Sequence, residues 1–399
     1  MKKIILIIFA GLLVSLNFSV TAVEKPDVEA KSAILMDFET GRVLWEKNSR
    51  EPMAMASTTK IMTAIIALEH GDMTETATVS AKAASAPKVK MGLSTGEKIS
   101  MQTLMQALMM QSSNDAAVVI AEHIAGSVEA FCEMMTAKAR EIGAMDTVFR
   151  TPSGLDKDDH HSTAYDLALI TRYALSNEAF VNLINTRSAT GTSSLRTYNI
   201  INKNRLLNEF SGANGVKTGF TNKAGYCFVG SAERDGMKLI SVVLASGWGQ
   251  KGSEQKWVDT KRVLNYGFGE FEFEQIIDIN VGAGEITVER SRTDVMTARY
   301  AEGLRVPLSE EEKATMNVEV NIPETIKAPI LKGDIIGTAR IIIAGEVYAE
   351  IPILADDSAE RHDFKTSLEK VLKAFLELGS VEEINVVLPE LPSLPGFGK

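Results

Sequence analysis

The chain is expected to fold in the α/β class, as an antiparallel sheet flanked by helices with a long helical insertion, followed by a small β-rich domain. Three observations predict this. Strand-like segments stand near both ends of the first 273 residues, an Ala-, Met- and Leu-rich helical stretch separates them, and beyond Phe273 the hydrophobic period switches to two. A chain of 399 residues with 45% hydrophobic content can bury one substantial core and a second, smaller one.

Lys2 and Lys3, the apolar run from Ile4 to Leu16 and the small residues ending Val20-Thr21-Ala22 read as a secretory signal, residues 1–22. The run is short for a bilayer, which favours export over a membrane-spanning anchor. Within residues 23–273, Ala33 to Phe38 and Arg42 to Trp45 flank Glu39-Thr40-Gly41 as a β-hairpin. From Ser57 to about Thr186 the pattern is helical, with segments such as Leu104 to Met110 and Ala116 to Ile124. Strands return at Val216 to Phe220, Tyr226 to Ala232 and Met237 to Ala245, with turns at Asn222 to Gly225 and Glu233 to Gly236. Pairing early strands with late ones makes one sheet, with the helical middle inserted and both faces covered.

Residues 274–355 alternate in Gln275 to Val281, Met316 to Ile322, Ile335 to Ile343 and Val347 to Ile353, which predicts the β-rich domain. In residues 356–399, an amphipathic helix is expected over 358–379. Phe364, Leu368, Val371, Leu372, Phe375 and Leu378 form one stripe, and a Pro-interrupted apolar tail follows.

The formal charge of −10 becomes −12 when the signal leaves with its two lysines, which makes nucleic acid a poor partner. Cys132 and Cys227 each sit in an apolar run and are expected to be buried free thiols rather than a bridge. The histidines lack metal-ligand spacing, and Asp158-Asp159-His160-His161 reads as a solvated loop rather than a cation site. No metal and no cofactor are expected.

Ser-x-x-Lys occurs at Ser57/Lys60, Ser85/Lys88, Ser253/Lys256 and Ser367/Lys370, so the bare pattern is uninformative. Ser85 runs into Pro87, Ser253 lies in a Gly-rich polar stretch and Ser367 belongs to the charged C-terminal helix. Ser57 alone opens an apolar helical run, Ile61 to Leu68. Residues three apart share a helix face, so the Lys60 amine comes within reach of the Ser57 hydroxyl. An apolar setting favours the neutral amine, which is what a serine nucleophile needs as its base. The bland alternative is an N-capping serine and a snorkelling lysine. Two further strings argue against it. Ser112-Ser113-Asn114 falls in a turn between helical segments, where it can present Ser112 and Asn114 to one side. Lys217-Thr218-Gly219, unique in the chain, lies on a strand whose edge can bind an extended peptide. Gly219 allows close approach there, and Lys217 and Thr218 offer donors to a carboxylate.

At these residues the chain resembles the penicilloyl-serine enzymes, whose trio is Ser-x-x-Lys, Ser-x-Asn and Lys-Thr-Gly. It is most similar to the low-molecular-mass D-alanyl-D-alanine carboxypeptidases, through Ala54 to Thr63, Gln111 to Ala116, Pro152-Ser153-Gly154-Leu155, Ala164 to Ile170 and Gly215 to Tyr226. Leu331 to Gly337 looks like that family's second domain. The resemblance implies a β-lactamase/transpeptidase-like fold and hydrolysis of the terminal D-Ala from peptidoglycan stem peptides outside the cytoplasmic membrane, with β-lactams as covalent inhibitors. It implies Ser57 as acylated nucleophile, Lys60 as base and Ser112 as proton relay. Asn114 would hold the substrate amide, Lys217 and Thr218 the terminal carboxylate, and the N–H groups of Ser57 and Phe220 the oxyanion. Lys203, in Asn202 to Leu207, matches a cationic carboxylate contact, and Ser153 stands where some relatives have His.

A class A β-lactamase needs a deacylating Glu, and the nearest string, Glu178 to Asn182, reads more simply as a capped helix start. A DD-endopeptidase would use the same trio. A non-catalytic penicillin sensor or wall-binding module is opposed by the intact trio. The C-terminal stripe has to be buried by a membrane surface, by the β-rich domain or by another subunit.

Overall fold

A computed structural model describes residues 24–361 and 364–378; the expected signal and the tail beyond Leu378 lie outside the described residues. The chain divides into two compact units, Met1–Phe273 with Pro307–Glu310, and Glu274–Val306 with Glu311–Lys399.

In the first unit the strands Ser32–Asp37, Val43–Lys47, Ala213–Thr221, Gly225–Arg234 and Met237–Leu244 form one antiparallel sheet. The early strand Ser32–Asp37 lies beside the late strand Met237–Leu244, with Ser32 opposite Leu244 and Asp37 opposite Leu239. Ala213–Thr221 ends up at one edge of the sheet. Alternation along the strands covers both faces, as expected. Ile34 and Met36 join the core of the helical insertion, whereas Ala33 and Leu35 pack with Phe228, Trp257, Val263 and Leu264. Each fully buried side chain of this size contributes about 1.5–3 kcal/mol. Cys132 and Cys227 are buried free thiols.

The insertion is helical but interrupted. A short hairpin, Thr76–Thr78 with Lys98–Ser100, departs from the helical expectation, and a second, Ser188–Thr192 with Thr197–Ile201, follows the helical stretch. The second unit carries a six-stranded sheet in the order Asn317–Asn321, Ile335–Ile343, Glu346–Ala355, Val295–Tyr300, Gly282–Glu289, Thr325–Lys327. Only the last pair is parallel among these described strands.

The C-terminal helix spans Phe364–Leu378, not 358–379. Residues before it are drawn into the β-rich unit instead, because Ala359 exchanges backbone hydrogen bonds with Ile330 at 2.9 and 3.0 Å. Phe364, Leu368, Val371, Leu372 and Phe375 are exposed, Phe364 by 85% and Phe375 by 73%. No helix among the described residues is long and apolar enough to cross a membrane.

Candidate active site

Ser57 sits on a 3-10 turn, Ala56–Thr59, that feeds the helix Lys60–His70. Four of that helix's first residues, Lys60 to Thr63, are buried, so the lysine enters the core with its helix. The turn is held in an unusual conformation: Ala56 is left-handed, with φ +50°. Such a residue costs about 1–3 kcal/mol and persists only when its surroundings fix it. Gly154 packs so closely that a Cβ there would lie 1.9 Å from the Ala56 carbonyl oxygen.

Lys60 Nζ has three partners, Ser57 Oγ at 3.0 Å, Asn114 Oδ1 at 2.8 Å and the Ser153 carbonyl at 2.5 Å. Asn114 Nδ2 donates to the Pro87 carbonyl at 3.1 Å, which orients the amide with Oδ1 towards the lysine. Two of the three partners can therefore only accept. A neutral amine has two N–H bonds to give them, while the Ser57 hydroxyl rests 3.0 Å from Nζ and donates to the Ser153 carbonyl at 3.3 Å, so a small rotation of the hydroxyl turns its proton to the lone pair of Nζ. The charge state fits this geometry. Burial, together with the like charge of Lys217, holds Lys60 well below its ordinary value, against a smaller opposing pull from Asp115.

Ser112 follows the π-helical turn Ala107–Gln111 and is itself left-handed, φ +66°. Asn114 begins the next helix, Asn114–Ala125, and is turned inward with both polar ends engaged inside the protein. Ser112 lines the cleft, and Asn114 reaches it through Lys60 Nζ. Asp115, fully buried, accepts from the backbone N–H groups of Met91, Gly92 and Leu93 at 2.8–3.1 Å, fixing the segment whose Pro87 carbonyl holds Asn114.

On the edge strand, Lys217 is buried and Thr218 and Phe220 are less so, in the alternation a strand imposes. Lys217 Nζ donates to the Thr218 carbonyl at 3.0 Å, and burial, reinforced by Lys203, lowers its pKa to about 7. Gly219 is the point of closest approach, since a Cβ there would stand 2.8 Å from Ser57 N. A cleft of about 490 Å³ brings together Ser57, Ser112, Lys203, Thr218, Gly219 and Phe220, with Lys60, Asn114 and Lys217 behind its wall. Other concavities, about 320 Å³ beside Leu68 and Leu183 and about 550 Å³ beside Arg172, hold no serine–lysine pair, so volume does not mark the site.

Several residues of the cleft carry no motif. Arg205, Tyr226 and Trp257 line it, as does Lys256, which is buried although its sequence surroundings are polar. Lys256 donates to the Ser253 backbone carbonyl instead of its hydroxyl, so this second Ser-x-x-Lys forms no dyad. His160 is also buried, not solvated: Nδ1 accepts from Arg150 N–H at 3.0 Å and Nε2 meets Thr59 Oγ1 at 3.0 Å. Glu178 starts the helix Glu178–Asn185, capped by Asn177 at 3.2 Å, and is exposed outside the cleft.

The D-alanyl-D-alanine carboxypeptidase family model matches residues 19–247, and the model of the penicillin-binding protein 5 C-terminal domain matches residues 271–361. The chain is 30% identical over 387 residues to D-alanyl-D-alanine carboxypeptidase DacF of Bacillus subtilis, covering 93% of this chain and 98% of that protein. It is 31% identical over 349 residues to DacA of Escherichia coli, covering 82% and 83%. Penicillin binding protein 5 of Haemophilus influenzae superposes with a TM-score of 0.72 at 27% identity, covering 85% of this chain and 100% of that structure. With its serine–lysine pair and its edge strand in the arrangement described, the chain belongs to the D-alanyl-D-alanine carboxypeptidase family.

Proposed function

We propose that the protein is a serine D-alanyl-D-alanine carboxypeptidase that removes the terminal D-Ala from peptidoglycan stem pentapeptides through an acyl-enzyme on Ser57. The observation that supports it best is the Lys60 amine, desolvated and with two N–H bonds committed to carbonyl oxygens, aimed at Ser57 Oγ at 3.0 Å. As Oγ attacks the carbonyl carbon of the penultimate D-Ala, its proton passes to Lys60 Nζ. The developing oxyanion lies between the N–H groups of Ser57 and Phe220. Collapse breaks the peptide C–N bond; Ser112 relays a proton to the leaving amine, and water then hydrolyses the Ser57 ester. Lys217, Thr218 and Lys203 take the terminal carboxylate, and binding that anion raises Lys217 from about 7 and restores its charge. Asn114 holds Lys60 in register; contact with a substrate amide requires Nδ2 to leave Pro87.

A pentapeptide ending in D-Ala-D-Ala should release free D-Ala. Cleavage of crosslinked dimers without D-Ala release would overturn this reading in favour of an endopeptidase. With Glu178 outside the cleft, penicillin should acylate Ser57 and remain bound. Fast steady-state penicillin hydrolysis would instead identify a β-lactamase.

The enzyme is exported, and the exposed stripe on Phe364–Leu378 rests on a membrane surface at the outer face of the cytoplasmic membrane. Exposure of its apolar side chains supports this, since the described β-rich unit leaves them uncovered. Signal-cleaved protein should float with lipid vesicles, and the same protein ended after Arg361 should not. Equal flotation of the two forms defeats the anchor.

A further inference from the structure

His160 lies 101 residues after Thr59 in sequence and bonds directly to it. The tautomer follows from the partners. Arg150 N–H can only donate, so Nδ1 carries the lone pair and the ring proton of the neutral imidazole sits on Nε2. Burial, aided by His161, Arg150 and Lys223, keeps the ring neutral by lowering its pKa to about 4. Thr59 Oγ1 gives its own proton to the Ala56 carbonyl at 2.8 Å, so it must accept from Nε2. That carbonyl belongs to the left-handed residue immediately before Ser57, and Gly154 presses on its other side. A directional chain thus runs from imidazole to hydroxyl to the backbone carbonyl of the peptide that joins Ala56 to Ser57.

We propose that His160 is a positioning residue for the nucleophile: through Thr59 it locks the Ala56 peptide and so fixes Ser57 Oγ against Lys60. The inference rests on Ser57 being the acylated serine. A merely structural role would instead run through Nδ1, which ties the start of the Arg150–His160 loop. The two ring nitrogens can be separated. His160→Gln carries an amide N–H where Nε2 stands, and His160→Asn carries an acceptor where Nδ1 stands.

With a fluorescent penicillin, His160→Asn should lower the acylation rate constant at least about tenfold, the scale of a small misplacement, while pre-covalent affinity changes less than about twofold. His160→Gln should stay within about threefold of the wild type. Thr59→Val should match His160→Asn, and the double variant His160→Asn/Thr59→Val should be no worse than either. Wild-type rates in His160→Asn, or equal losses in both His160 variants, overturn the inference. If His160→Asn does not fold, Thr59→Ser against Thr59→Val decides: retained acylation in the first and loss in the second support the chain, and equal rates refute it. Wild-type protein that takes no label at Ser57 refutes the nucleophile and this inference together; a labelled wild type with an unimpaired His160→Asn refutes the inference alone.

Discussion

Lys60→Ala is expected to be acylated by penicillin at least about 100-fold more slowly than the wild-type chain, because among the described residues Lys60 is the amine hydrogen-bonded to the Ser57 hydroxyl. Two other buried amines of the site are engaged elsewhere, Lys217 with the Thr218 carbonyl and Lys256 with the Ser253 carbonyl. Near-wild-type acylation in the variant would remove Lys60 as base. Stability provides an independent reading with a definite sign. Lys60 is held well below its ordinary 10.5 in the folded protein, so below pH 10.5 and above the folded value the unfolded chain binds a proton the folded chain does not. The free energy of unfolding, and with it stability, therefore rises with pH across that window. The variant should show a shallower rise in urea midpoint, with the part owed to Lys217, from about pH 7 upward, left in place.

Gly154→Ala is expected to lower stability by about 2–5 kcal/mol, combining about 1–2 for a forced left-handed residue with about 1–3 for over-packing. It should also depress acylation at least about 100-fold by shifting the nucleophile. Gly154 has φ +82°, and the atoms within reach of the new methyl, Ala56 O at 1.9 Å, Ala56 C at 2.4 Å and Ser57 N at 2.9 Å, are all backbone of the catalytic turn. Gly126 is the control: its φ is +74° and a Cβ there meets nothing within 4 Å. Gly126→Ala should therefore pay only the conformational cost and acylate normally. Indistinguishable acylation rates in the two alanine variants would show that the close approach of Gly154 does not position Ser57.

The sheet was legible in the sequence because its strands are apolar, about the length of the sheet and bounded by turn residues, as in Tyr226 to Ala232 between Gly225 and Gly236. The motif residues were legible because hydroxyls and amines are side-chain chemistry. What holds them was not. The Ser153 carbonyl that shares Lys60 is backbone, and backbone groups leave no mark on residue type. His160 follows two aspartates, so its neighbourhood read as solvent although the ring turns inward under Thr59. Lys256 was hidden in what read only as a Gly-rich polar stretch, which begins the helix Gly249–Glu270. Three-residue strands such as Thr76–Thr78 are too short for any period to register. The helix beginning at Phe364 was anticipated too early, since a two-strand contact made by Ala359 depends on a partner 29 residues upstream.

The pairing of Ser32 with Leu244 sets the order in which the enzyme can be born. The first strand to emerge during synthesis pairs at once with Val43–Lys47 but has to wait more than 200 residues for its other neighbour, and closing a loop of that length is slow. Until then the turn bearing Ser57 lacks the edge strand that backs it at Gly219, which itself joins the sheet through Gly225–Arg234. Nascent chains of the first two hundred residues therefore contain Ser57 and Lys60 yet lack the strand Ala213–Thr221 that walls the cleft beside them. Completion of the cleft depends on the last strands of the sheet to be made.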